Sequence, residues 1–344
     1  MPSTKGRVIV ACAGSRKTTS IIEAALSIAN DRVLITTYTN ENVDQLNALL
    51  IEKAGCVPPN ITVLSWFSFL LQDGVRPYQN FLADGWRVAT IDFVARPSFW
   101  IKKSKVRSYY FDAVGNILSD RVSEFIVECN KKSGGRIINR IEKVYPHIFI
   151  DEMQDMAGYD FEFLEALFAS KCTVIGVCDP RQGTFSTNKS SKNKKYKRDG
   201  VSDWIEKCES SGIIATEERV VCYRSNQSIC DFSDTLFPSL PRTVSKNSTI
   251  TGHDGIFTIP SEDALEYYSK WKPVVLRYSK QADTFGLEAF NIGKMKGRSF
   301  DRVMVFTTEP MRKFLRTKKP EDAGELSKFY VAVTRARYSV ALVV

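Results

Sequence analysis

The strongest constraint on the fold is a repeated passage from a short, continuously apolar run into a segment with apolar residues at helical spacing. Residues 7–13 (Arg-Val-Ile-Val-Ala-Cys-Ala) end in a glycine turn, and residues 18–30 follow with helical periodicity, which reads as strand, loop, helix. Residues 32–37, 61–64, 147–150 and 173–177 are further apolar runs with helical segments between them. Strands apolar on both faces that alternate with helices predict a parallel sheet covered on both sides. Residues 72–140 break the rhythm with aromatic and basic residues and the pair Gly134-Gly135, and are expected to form an inserted, largely helical subdomain.

After Tyr223 the pattern starts again, with a helix predicted over 227–236, a Pro- and Ser-rich connection over 238–248, and strands over 273–276 and 302–306. A closing helix over 325–334 and a strand over 339–344 complete it. The chain of 344 residues, 43% hydrophobic, has enough apolar material for two cores. The expected organisation is an α/β domain over 1–225 carrying the insertion, and a second over 226–344.

Composition removes several function classes. No run of about 18 apolar residues is present, and residues 1–7 lead into a strand without a signal-peptide pattern, so a soluble, cytoplasmic protein without a membrane partner is expected. The eight cysteines include no Cys-x-x-Cys pair and there are only two histidines, which argues against a zinc site or a disulfide framework. A net charge of +9 suits a polyanionic partner.

Short motifs carry the chemistry. Ala13-Gly-Ser-Arg-Lys-Thr at 13–18 lies where a strand turns into a helix. Backbone N–H groups at such a turn ring an anion that a lysine ammonium then reaches. Lys17 is the candidate for the β and γ phosphates and the Thr18 hydroxyl for Mg²⁺; Ala13, Gly14, Ser15, Arg16 and Thr19 complete the candidate phosphate cradle. Ala11 and Arg16 stand where such loops usually have glycine, and Arg16 either strains the turn or projects outward. Asp151 and Glu152 end a buried strand, where consecutive side chains point differently. Asp151 would hold Mg²⁺ through water, and Glu152 would orient or deprotonate an attacking water. Gln182, beyond another strand end, can reach a γ phosphate. Arg224 and Arg335 are candidates for bringing positive charge to that phosphate in the transition state. Residues 186–198, rich in lysine, read as a flexible basic loop, either a nucleic-acid contact or solvated surface.

Taken in order, these motifs resemble the UvrD, Rep and PcrA branch of the superfamily 1 helicases. Lys296-Gly-Arg-Ser-Phe-Asp, Val331-Ala-Val-Thr-Arg-Ala-Arg, Thr36-Thr-Tyr-Thr-Asn and Thr62-Val-Leu-Ser-Trp-Phe-Ser-Phe add to the likeness. The resemblance implies two RecA-like parallel-sheet domains with a helical insertion in the first, ATP and Mg²⁺ in the cleft between them, and 3′ to 5′ movement on single-stranded DNA. It places Gly297 near the nucleotide, and Tyr38, Asn40, Ser65, Trp66, Phe67, Phe185 and Lys296 on the DNA side. Aromatic faces there would stack on bases while basic residues follow the phosphates.

The chain departs from that branch at several positions. Ser299 replaces a glutamate, Thr187 replaces a DNA-stacking tryptophan, and no adenine-reading glutamine motif precedes the first strand. Residues 279–295 are too few for the large helical insertion of processive members. A stripped-down motor is the reading that follows, one that needs either a partner, such as the nuclease that accompanies helicase-like subunits of Gabija-type antiviral systems, or a replacement duplex-contacting surface in residues 72–140. The alternatives are a nucleotide-dependent DNA-binding switch with slow or no hydrolysis, and RNA rather than DNA as the track.

Overall fold

The computed structural model describes residues 6–98 and 100–344; the sequence reading of residues 1–7 falls mostly on residues 1–5, outside the described ones. The chain forms two compact units. The first comprises Met1–Val10, Lys17–Pro180 and Phe185–Glu217, and the second Ala11–Arg16, Arg181–Thr184 and Glu218–Val344.

The elements of the first half of the chain are β1 (Gly6–Ala11), α1 (Lys17–Leu26), β2 (Val33–Thr37), α2 (Asn40–Ala54), β3 (Ile61–Ser65) and α3 (Trp66–Phe69). They continue through β4 (Ile91–Asp92), α4 (Val106–Tyr110), β5 (Ile117–Leu118), α5 (Val122–Lys132) and α6 (Arg136–Val144). The series ends with β6 (His147–Ile150), α7 (Asp160–Phe168), β7 (Thr173–Cys178), α8 (Val201–Ser210) and β8 (Ala215–Arg219). The sheet order is β3-β2-β6-β7-β1-β8. Parallel pairing joins β2 to β3 and β6, and β7 to β6 and β1. Every residue of β2 is buried, Thr36 and Thr37 included, as befits a central strand covered on both faces. Local signals set the helix ends: Thr39 caps α2 by accepting from the Asn42 N–H, and Gly55, at φ 77°, closes it.

Between β3 and β6 the chain forms α4, α5, α6 and the short β4–β5 ribbon, and its buried described residues join the core of the sheet. Val122, Phe125, Ile126 and Ile137 share one apolar cluster with Val8, Leu34 and Ile148 of the sheet. Each such side chain, fully buried, contributes about 2 kcal/mol, so the insertion is bound into the unit.

The second half of the chain contains β9 (Val221–Cys222), α9 (Gln227–Asp234), β10 (Val244–Ser245), β11 (Gly255–Ile259), α10 (Ala264–Trp271) and β12 (Val274–Arg277). It closes with β13 (Ala289–Asn291), β14 (Phe300–Phe306), α11 (Glu309–Thr317), α12 (Leu326–Val333) and β15 (Ala336–Val343). Its five-stranded sheet, β11-β15-β14-β12-β13, is parallel throughout. Helix α10 covers one face, over Val275, Met304 and Ala341; α9, α11 and α12 cover the other, over Leu276, Val303, Val305 and Val340. The α/β class with two parallel-sheet units is the one the sequence predicts. No described helix is long and apolar enough to cross a membrane.

Candidate nucleotide residues and strand groove

In the first unit, Lys17 and Thr18 open α1 immediately after the glycine turn. The Lys17 ammonium is buried 3.8 Å from the Asp179 carboxylate. The Thr18 hydroxyl donates to Asp151 Oδ2 at 3.0 Å, so two oxygen donors 133 residues apart in sequence meet at one point. Burial, reinforced by the neighbouring Glu152 charge, pushes the Asp151 carboxyl well above the ordinary carboxylate range. Such a group gains from a cation. Among the described residues no cluster of three His, Cys, Asp or Glu side chains suited to a metal is present. An alcohol and a carboxylate oxygen 3.0 Å apart are hard donors that fit a cation such as Mg²⁺ with phosphate and water as its remaining ligands.

Glu152 sits in the left-handed backbone region at φ 56°, unusual for a residue with a Cβ, and its N–H donates to Asp151 Oδ1 at 3.0 Å. Gln154 donates to the Glu152 carboxylate and accepts the Asp179 N–H at 3.1 Å. This holds the two strand ends, after β6 and after β7, in register. Sequence reading left Asp179 without a role; its signal was an acid directly after a buried strand, the same position that singled out Asp151.

In the second unit, Gly14 (φ 75°) lies so close to its neighbours that a Cβ there would be 2.7 Å from Arg224 Cβ and 2.8 Å from Cys222 Sγ. The Gly14 carbonyl accepts the Tyr223 N–H at 2.9 Å, and the Ala13 N–H donates to the Tyr330 hydroxyl at 3.1 Å. Ser15 is buried, while Thr18 and Thr19 are half-buried. Arg16 resolves the question its identity raised. It adopts φ 61°, the conformation glycine would supply, and lays its guanidinium over the Tyr223 ring at 4.1 Å.

Arg335 is buried and donates to the carbonyls of Val331 (3.2 Å) and Arg298 (3.3 Å) and to Gln182 Oε1 (3.2 Å). Arg224 donates to the Thr334 carbonyl at 3.0 Å. Gly297, at φ 83°, turns the chain ahead of β14, and Lys296 beside it is half-buried in this unit.

A groove of about 430 Å³ in the first unit brings together Tyr38, Asn40, Ser65, Phe67 and Phe185. These come from the ends of β2 and β3 and from the stretch beyond β7. None of the described residues lining it carries a charge. Tyr38 lies 6.2 Å, ring centre to ring centre, from both Phe67 and Phe185. Phe93, from the insertion, also lines it and meets Phe67 edge to face at 5.0 Å. No sequence pattern pointed to Phe93, because its place depends on how the insertion folds back.

Trp66 departs from the expectation of a DNA contact. It is 0% exposed, packs on Phe69 and Phe163, and donates its indole N–H to Asp160 at 2.9 Å. Its neighbours Ser65 and Phe67 line the groove, and on the short helix α3 the side chain between them turns into the core.

Asp160 is fully buried and accepts from Trp66, Ser123, Thr187, the Ala157 N–H and Asn188. Thr187, which stands where the UvrD, Rep and PcrA branch has a stacking tryptophan, is an internal donor to Asp160. The basic loop is likewise no free arm: Asn193 donates to the Gly158 carbonyl, Lys192 pairs with Glu162 at 2.8 Å, and Tyr196 packs on Phe161. Lys194 and Lys195 remain exposed.

The model of the viral superfamily 1 RNA helicase core domain matches residues 120–344. Among solved structures, an Arterivirus nonstructural protein 10 (helicase) is 16% identical with a TM-score of 0.48, covering 99% of this chain and 60% of its own. An Arterivirus nonstructural protein 10 (helicase) in complex with DNA is 14% identical with a TM-score of 0.50, covering 99% and 61%. The PRRSV helicase is 14% identical with a TM-score of 0.48, covering 99% and 52%. This chain therefore spans about 60% or less of the length of these helicases. No curated protein matches it in sequence. The fold likeness fits two RecA-like domains, and the motif reading keeps its superfamily while the matching model is the viral core and not the UvrD, Rep and PcrA branch. With residues 120–344 matched, the chain belongs to the viral superfamily 1 RNA helicase core family.

Proposed function

We propose that the protein is a nucleoside-triphosphate-driven motor on single-stranded nucleic acid. The observation that carries this reading is the meeting of Lys17, Thr18, Asp151, Glu152 and Asp179 at the ends of β1, β6 and β7, in the same unit as the uncharged aromatic groove. Lys17 binds the β and γ phosphates. Thr18 and Asp151 hold Mg²⁺, which supplies charge neutralisation at the phosphates. Glu152, oriented by Gln154, takes the proton of the attacking water. Arg224 and Arg335 supply positive charge to the transition state, with Gln182 fixing the Arg335 guanidinium. Tyr38, Asn40, Ser65, Phe67 and Phe185 contact the strand, and the nucleotide state sets the grip on it.

The strand is RNA or DNA. The family model is named for RNA, and an Arterivirus relative was solved with DNA. Matched DNA and RNA strands added to the ATPase reaction decide between them, and the same strands with one blocked end test the 3′ to 5′ direction. The rival reading, a switch that closes on nucleotide without turning over, is opposed by the held geometry of Glu152. Nucleotide binding with no hydrolysis in the presence of either strand would replace the motor with the switch.

A further inference from the structure

The groove in the first unit has an unusual combination of properties for a nucleic-acid contact. Its described lining carries aromatic rings, hydroxyls and the Asn40 amide, and no lysine or arginine. Phosphates have no counter-charge there, whereas a base has a π-face and hydrogen-bonding edges. Phe67 offers that base little surface, because the residue is only 8% exposed and Phe93 packs perpendicular to its ring. Phe93 can: it is 55% exposed, and its edge-to-face contact with Phe67 fixes the ring in place. The backbone that carries it is held as well. Asp92 accepts the N–H groups of Val94 (2.7 Å) and Ala95 (2.9 Å), and the β4–β5 ribbon pairs Asp92 with Leu118. A pre-positioned ring loses little freedom when a ligand stacks on it.

We propose that Phe93, contributed by the insertion, is the stacking face of this groove, and that the groove takes an unpaired base of a single strand and leaves its phosphate outside. The proposal rests on the reading of the groove as the strand site. Under it the insertion is part of the strand grip, and affinity at this point depends on the presence of a base and little on salt. Asn40 and the Ser65 and Ser68 hydroxyls, the latter two 2.8 Å apart, are within the same groove to meet the edge of the base.

The test is fluorescence anisotropy with an end-labelled oligo(dT), its oligo(rU) counterpart and an oligonucleotide of the same length carrying abasic sites throughout. The proteins are the full chain and its Phe93→Ala, Phe93→Trp, Tyr38→Ala and Phe185→Ala variants, each checked for an unchanged Tm. Phe93→Ala is expected to weaken binding to the tighter of the two base-bearing strands by about tenfold, the size of one lost base stack. Phe93→Trp retains that binding, the abasic strand binds wild type and Phe93→Ala alike, and the slope of affinity with salt does not change. If Tyr38→Ala and Phe185→Ala weaken binding while Phe93→Ala does not, the groove is the strand site and Phe93 is no part of it. Equal loss on base-bearing and abasic strands would also overturn the proposal, since Phe93 would then only shape the groove. If neither Tyr38→Ala nor Phe185→Ala has an effect, the strand reading itself fails and the proposal falls with it.

Discussion

Arg335 donates from Nη2 to Gln182 Oε1 at 3.2 Å, joining residues 153 apart in sequence inside the second unit. Gln182 is thereby more than a surface amide near a strand end: it is one of the groups that hold the Arg335 guanidinium, together with the Val331 and Arg298 carbonyls. A lysine cannot make this planar set of bonds. Arg335→Lys is expected to lower kcat for ATP by about 10³-fold, the scale of an arginine that acts on the transition state. Gln182→Ala, which leaves the charge but loosens it, is expected to lower kcat by about tenfold, with KM changed little in both. Steady-state kinetics on both variants check this, and kcat within twofold of wild type for Arg335→Lys would remove Arg335 from the chemistry.

Asp160 is a buried carboxylate with donors converging from α3, the insertion, the turn before α7 and the stretch beyond Phe185. Asp160→Ala leaves those donors unpaired and is expected to cost at least about 3 kcal/mol in urea unfolding. Burial raises the Asp160 pKa above its ordinary 3.8 despite those donors. The folded state therefore holds the proton more tightly than the unfolded state. This carboxyl's contribution to stability is greatest below pH 3.8 and declines as pH rises from there through the folded-state value. Asp160→Asn removes that slope, so the difference in unfolding free energy between wild type and Asp160→Asn should shift in favour of the variant as pH rises across this window. A pH-independent difference would contradict the assignment.

Arg16 combines a cost with a compensation. The left-handed backbone costs a residue with a Cβ about 1 kcal/mol, and the guanidinium over Tyr223 returns about 0.5–1 kcal/mol. Arg16→Ala keeps the strain and loses the contact, and should destabilise by about 0.5–1 kcal/mol. Arg16→Gly loses both and should lie near wild type. Thermal unfolding of the pair tests this, and Arg16→Gly falling below Arg16→Ala would show that the turn is not strained.

Lys194 and Lys195 are among the exposed charges of a loop otherwise fastened to α7 and the turn before it. If they meet strand phosphates, Lys194→Gln with Lys195→Gln should reduce the slope of log affinity against log salt by about 1.5. Lys192→Gln, whose lysine is paired with Glu162, should change it less. An unchanged slope in the double variant makes the loop solvated surface.

Strand–helix alternation was legible in the sequence because buried parallel strands must be apolar on both faces; β1, β2, β3, β6 and β7 all lie within the runs that predicted them or within a residue or two. The gathering of Thr18 with Asp151 followed from their shared position, each just beyond a central strand. Trp66 was misread for a physical reason: Ser65, Trp66 and Phe67 are consecutive, and periodicity cannot tell which of three neighbours on a short helix turns inward. The partner that decided it, Asp160, lies 94 residues away. Phe93 was invisible for the same kind of reason, since its environment is made by tertiary folding of the insertion. The basic loop looked free because charge dominated its composition, while Asn188, Asn193 and Tyr196, which anchor it, are scattered among the lysines.

The most direct test of the central claim is phosphate release from ATP by the purified full chain, with and without single-stranded DNA or RNA, beside Lys17→Ala and Glu152→Gln. Lys17→Ala should lose nucleotide binding, whereas Glu152→Gln should keep it and lose turnover. The account predicts hydrolysis that rises on adding strand and disappears in both variants. Hydrolysis in the wild type that survives Glu152→Gln undiminished, or a folded wild type that binds ATP and releases no phosphate with either strand, would contradict it.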